Sequence, residues 1–153
     1  MIADKINTDH WFVIVNPTSG SGLGLTDYPQ IAKLLRDNNI YHDAVFTEHK
    51  CHATELAVEA VNNGYRKIIV VGGDGTLTRT LPAIVGTKNK LGIIPSGSGN
   101  DTYKAIKALP KGENLIDLGK INDTYFINVA CTGLDAEVGN NVEVLRNTFI
   151  PAS

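Results

Sequence analysis

Lys67-Ile68-Ile69-Val70-Val71-Gly72-Gly73-Asp74-Gly75-Thr76 decides how this chain is read. Its apolar half is continuous rather than alternating, as expected of a strand covered by helices on both faces in a parallel sheet. Directly after it, three glycines surround a single carboxylate. Glycines let backbone N–H groups approach an anion closely, and a helix starting at the turn adds its positive end. A carboxylate placed beside phosphates calls for a bridging cation, usually Mg²⁺. The plainer alternative is a tight strand-to-helix turn in which Asp74 is a helix cap.

Two similar loops follow other apolar runs. Asn16-Pro17-Thr18-Ser19-Gly20-Ser21-Gly22 comes after Trp11–Val15, and Pro95-Ser96-Gly97-Ser98-Gly99-Asn100-Asp101 comes after Leu91–Ile94. In an open parallel sheet such loops gather at the carboxyl edge, where ligands bind. Three of them on one edge favour a phosphate site over turn chemistry alone.

Hydrophobic spacing fills in the rest. Strands are expected near 11–15, 41–47, 67–71 and 91–94, and helices near 27–38, 52–63, 76–86 and 100–108. Asp27 is a candidate cap with Pro29 in the first turn of its helix, and Pro82 should kink the third helix or delay its start. The alternation predicts a doubly wound α/β domain with a mainly parallel sheet over residues 1–114. After it, Leu115–Leu118, Lys120-Ile121 and Thr124–Val129 read as strands with an Asn122-Asp123 hairpin, the start of a truncated antiparallel element over 115–153.

Bulk composition narrows the function. The chain has 153 residues, 42% apolar and 20% charged, within the range of one packed domain. A net charge of −2 without a Lys/Arg block argues against nucleic acid, so phosphate affinity must come from local backbone and metal. Cys51 and Cys131 lack metal or redox spacing and are expected as buried free thiols. His10, His42, His49 and His52 show no metal spacing either, and His52 reads as a helix-start residue. No signal-peptide pattern and no membrane-length apolar run is present, which gives an expectation of a cytoplasmic protein with at most peripheral contact at the inner membrane face.

At this point the order of motifs resembles the catalytic domain of diacylglycerol kinases and related lipid kinases, among them bacterial soluble lipid kinases and sphingosine kinases. The resemblance spans about residues 11–138. It comprises Asn16-Pro17 with Ser19–Gly22, Thr47 with His52-Ala53, Gly72–Thr76, Leu91–Asp101, Ile116–Gly119 and Gly133–Val138. The glycine-Asp-glycine-Thr element is shared with NAD kinases, whereas the Pro-x-Gly-x-Gly-Asn-Asp segment separates the lipid kinases from them.

The resemblance implies an NAD kinase/diacylglycerol kinase-like α/β domain, followed by a β-sandwich domain of which residues 115–153 hold the first strands. It implies ATP-dependent, Mg²⁺-assisted transfer of the γ-phosphoryl group to a lipid hydroxyl, with diacylglycerol or a related lipid reached at a membrane surface. Carried over by position, Asn16, Thr47, Gly72, Gly73, Gly75 and Thr76 would contact nucleotide, while Ser96, Gly97 and Ser98 line an opposite wall. Asp74 would be catalytic and face the metal, and Asp101 and Asp117 match acidic positions of a metal–water network. The group that deprotonates the acceptor comes, in that family, from a later region not contained in this sequence.

Departures from the pattern also matter. Thr78-Arg79 stand where the family usually has Asn-Glu, and Thr102-Tyr103 replace Phe-Ala. The expectation is therefore a nucleotide-binding half with little activity alone, and a homodimer through its C-terminal strands. A non-catalytic nucleotide-binding remnant is the main alternative, with an NAD kinase-like enzyme behind it.

Overall fold

The computed structural model describes residues 9–128. Four parallel strands form its centre: β1 (Trp11–Val15), β2 (His42–Phe46), β3 (Lys67–Gly72) and β4 (Lys90–Pro95). They lie in the order β2-β1-β3-β4. Val15 pairs with Phe46 on one side and Val71 on the other, and Gly72 pairs with Pro95. The four strands thus end almost level, and the loops that leave them start from one edge.

Helices connect the strands. They are α1 (Leu23–Thr26), α2 (Tyr28–Asp37), α3 (His52–Asn62), α4 (Asp74–Ile84) and α5 (Asp101–Lys107). Successive side chains of a strand point to opposite faces, and β1 uses both. Phe12 and Ile14 join Ile68 against Ala53, Leu56, Ala57 and Ala60 of α3. Val13 and Val15 join Ile69 and Val71 against Leu35 and Ile31 of α2. Burial on both faces is why β1 and β3 carry unbroken apolar runs, each residue gaining roughly 1.5–3 kcal/mol from its removal from water.

The doubly wound parallel sheet is as the sequence reading has it, and so is the small antiparallel pair β5 (Gly119–Ile121) and β6 (Thr124–Phe126). Asn122 takes a φ of 52° in the hairpin turn, a conformation Asn tolerates better than most residues. Other expectations need correction. Leu115–Leu118 forms no strand; Leu115 is fully exposed, and among the described residues no strand pairs with the segment. Helix α4 begins at Asp74 rather than near 76, and Pro82 sits in its last turn without delaying the start. The helix expected over 27–38 is α2, with the short α1 before it unforeseen, and the Asp27 side chain caps neither. Cys51, expected to be buried, is exposed, because it occupies the turn at the N-terminal end of α3. The readings placed on residues 1–8, Val129, Cys131, Gly133–Val138 and 139–153 lie outside the described residues.

Candidate functional site

The level strand ends bring four loops together, and backbone bonds continue the sheet one residue past the strands. Asn16 N–H donates to the Val71 carbonyl at 2.9 Å, Thr47 N–H to Val15 at 2.8 Å, and Ser96 N–H to Gly72 at 3.1 Å. Side chains then join loops distant in sequence. Asn16 Nδ2 donates to Thr76 Oγ1 at 2.8 Å, while its Oδ1 accepts from the amide and hydroxyl of Thr18. Ser19 and Ser96 share a hydroxyl hydrogen bond of 2.5 Å. Ser96 is therefore buried as a tie between loops, while Ser98 is exposed.

Glycine is required where these loops touch. A Cβ on Gly97 would lie 2.5 Å from the Gly73 Cα, so the two turns pack backbone against backbone. Gly20 combines a φ of 57° with a position whose Cβ would fall 2.1 Å from the Ser96 carbonyl oxygen. Asn100 closes the Gly97 turn from within: its Oδ1 accepts from Gly97 N–H at 2.9 Å and its Nδ2 donates to the Gly97 carbonyl at 2.6 Å.

Beside these turns lies a cavity of about 330 Å³ lined by Asn16, Thr18, Thr47, Glu48, His49, Lys50, Ala53, Thr76 and Arg79. Three of the residues expected to contact nucleotide, Asn16, Thr47 and Thr76, line it. Gly72, Gly73, Gly75, Ser96, Gly97 and Ser98 do not; they form the turns along its flank.

Asp74 has a role that the sequence reading offered only as an alternative, and for a different helix. Its Oδ2 accepts from the Asp101 amide at 3.0 Å and its Oδ1 from the Thr102 amide at 2.9 Å. It starts α4 and caps α5, satisfying two donors that a helix start leaves without partners. Partial burial pushes the Asp74 carboxyl up, but the Thr102 hydroxyl beside it and the amides of Thr102, Asp101 and Asp74 outweigh that and hold it below the usual range.

The residues around Asp74 fit a hard cation. A Cβ on Gly99 would lie 3.6 Å from Asp74 Oδ2 and 3.4 Å from Asp101 Oδ2, so both carboxylates flank one small gap. The buried Thr102 hydroxyl makes no complete hydrogen bond among the described residues. Carboxylate and hydroxyl oxygens are the donors Mg²⁺ takes. Asp117 is exposed on the segment after α5, and the three acids do not gather into one cluster.

A different trio does gather. His49, His52 and Glu55 bring ligand-capable atoms within 4.8 Å of one another, a cluster that the sequence spacing did not reveal. His52 Nδ1 accepts from the Glu48 amide at 3.0 Å, so the neutral ring carries its proton on Nε2 and offers no open lone pair to a metal. The His49 and His52 rings stack at 4.7 Å, which fixes the loop after β2 to the first turn of α3. Glu48 and His49 at the cavity are also absent from the sequence-based site, since neither stands in a glycine turn, and Thr18, which does, was not singled out within its loop. Among the described residues no helix is long and apolar enough to cross a membrane.

Comparison with known proteins agrees with the motif order. The model of the diacylglycerol kinase catalytic domain matches residues 10–129. A diacylglycerol kinase of Staphylococcus carnosus (strain TM300) is 31% identical over 151 residues, covering 90% of this chain and 49% of that protein. A diacylglycerol kinase of Staphylococcus haemolyticus (strain JCSC1435) is 36% identical over 135 residues, covering 79% and 41%. Two solved chains from Bacillus anthracis str. Sterne superpose with TM-scores of 0.69 and 0.63 at 25% and 24% identity, each match covering 78% of this chain and 48% of that one. The second is described as a diacylglycerol kinase. The chain spans about half the length of the curated relatives it matches. Matched motifs, strand order and relatives together make this chain a member of the diacylglycerol kinase catalytic-domain family.

Proposed function

We propose that this chain is the nucleotide-binding half of a lipid kinase that passes the γ-phosphoryl group of ATP to the hydroxyl of diacylglycerol or a related lipid. The observation that carries this reading is the gathering of three glycine turns at one sheet edge, tied by Asn16–Thr76 and Ser19–Ser96, beside a polar cavity. Phosphoryl transfer rests on positioning and charge stabilisation, and fixed backbone donors with a carboxylate-held metal supply both. Asp74 and Asp101 are the residues that would hold Mg²⁺. Bound there, the ion would offset charge on the transferring phosphoryl group. Residues 1–114 would form the nucleotide domain and 115–153 the first part of a second domain that brings the lipid. Because the chain spans about half the length of its relatives, we expect it to transfer little phosphate by itself.

A second reading has one observation in its favour. Both Asp74 oxygens already serve the α5 amides, which suits a chain that binds nucleotide without catalysis.

Thermal unfolding with ATP, ADP and NAD, each with and without Mg²⁺, tests the proposal. A ligand at about 100 times its Kd adds roughly 2.7 kcal/mol. ATP should raise the melting temperature, Mg²⁺ should increase that gain, and Asp74→Ala should abolish the Mg²⁺-dependent part. A gain from NAD that exceeds the gain from ATP would overturn the assignment of ATP.

A further inference from the structure

Arg79 is half-buried at the wall of the cavity, and among the described residues its guanidinium has no ion-pair or hydrogen-bond partner. Its position follows from the helix. Side chains of an α-helix lean toward the N-terminus and cover the residue four positions earlier. That residue is Gly75, and a Cβ there would lie 4.0 Å from Arg79 Nη1. The guanidinium thus rests over the glycine turn, at the end of α4 where backbone amides have no helical partners. Meanwhile the Thr54 hydroxyl donates to the Arg79 carbonyl at 2.8 Å, which anchors its backbone to α3. The cavity lining also includes Lys50 and one acid, Glu48, so no excess of carboxylates opposes an anion there.

A partly desolvated guanidinium without a carboxylate suits an anionic oxygen, which it can hold with two parallel hydrogen bonds. We propose that Arg79 binds the phosphate chain of a nucleoside di- or triphosphate and supplies part of the charge neutralisation otherwise left to a divalent cation. This chain then holds such a nucleotide measurably even without Mg²⁺. The inference deepens the proposed function and rests on it: it names a phosphate-positioning residue for the same site.

Calorimetric titration of the full chain with ATP, ADP, AMP and adenosine, first in EDTA and then with Mg²⁺, tests it on the wild type, R79K, R79Q and R79E. In EDTA the wild type should bind ATP and ADP more tightly than AMP or adenosine. R79Q should weaken ATP and ADP about 10- to 100-fold and leave adenosine unchanged. R79K should retain part of the affinity, and in R79E added Mg²⁺ should recover more than in the wild type. Equal ATP affinity for wild type and R79Q in EDTA would overturn the inference while leaving nucleotide binding intact. So would an equal loss of ATP and adenosine, which marks a structural role. A wild type that binds no nucleotide under either condition would instead sink the proposed function itself.

Discussion

Asp74 caps α5 and, in the proposed function, would also hold Mg²⁺, and the two roles can be separated by experiment. As the cap of α5 it should contribute about 0.5–2 kcal/mol, so Asp74→Ala should lower urea stability by that amount even without ligand. Because its folded-state carboxyl is held below the unfolded value, its contribution is complete above the unfolded value, about pH 3.8. That contribution is lost as pH falls further through the folded value. Urea midpoints recorded from pH 5 down to pH 2 should fall less steeply for Asp74→Asn than for the wild type; identical slopes would contradict the assignment. Tyr65 works in the opposite sense. Burial first, then its 2.6 Å hydrogen bond to Asp43 and the nearby negative charge, push its hydroxyl up to about 12. Its share of stability is present below the unfolded value, about pH 10, and disappears as pH rises toward 12. Tyr65→Phe should therefore cost about 1 kcal/mol at neutral pH and less at alkaline pH, as read from denaturant melts.

Elements differ in how much the amino acids reveal beforehand. Strands β1 and β3 were legible because both of their faces are buried, and an apolar run of that length has few other uses. Helix α1 was not, since Leu23–Thr26 is too short to show a period and contains a glycine. The strand expected at Leu115–Leu118 shows the reverse error: its apolar residues suggest a strand, but among the described residues no strand pairs with it. That difference predicts unequal costs. Leu77, 1% exposed on α4, should lose about 2–5 kcal/mol on change to Ala, whereas Leu115→Ala should stay within about 0.5 kcal/mol. Comparable losses at the two positions in urea melts would show that residue 115 is covered in solution. At the loops, glycine turns were visible but their pairings were not, because Asn16–Thr76 and Ser19–Ser96 join residues 60 and 77 positions apart. Gly97→Ala tests those pairings. Its Cβ would force the Gly73 turn away, so ATP-dependent thermal stabilisation should fall well before the fold is lost.

For the molecule as a whole, the α/β architecture was legible from the alternation of strands and helices, and the family from the order of its motifs. The cavity wall was legible only in part, at Asn16, Thr47 and Thr76. Glu48, His49 and Arg79 carry no glycine signature, and they meet only because β2, α3 and α4 end beside one another. Transfer of phosphate to diacylglycerol, measured with radiolabelled ATP in mixed micelles, should be near background for this chain alone; robust turnover would show that these 153 residues already contain the acceptor-side machinery. The level ends of the parallel strands have a further consequence. Parallel neighbours are joined only through long crossovers, so no two of these loops can meet until the intervening helices have docked. A ligand that needs all of them recognises the finished sheet and no partly assembled stage. Its occupancy would thus serve as a gauge of complete folding, slowing amide exchange in β1, β3 and β4 together instead of strand by strand.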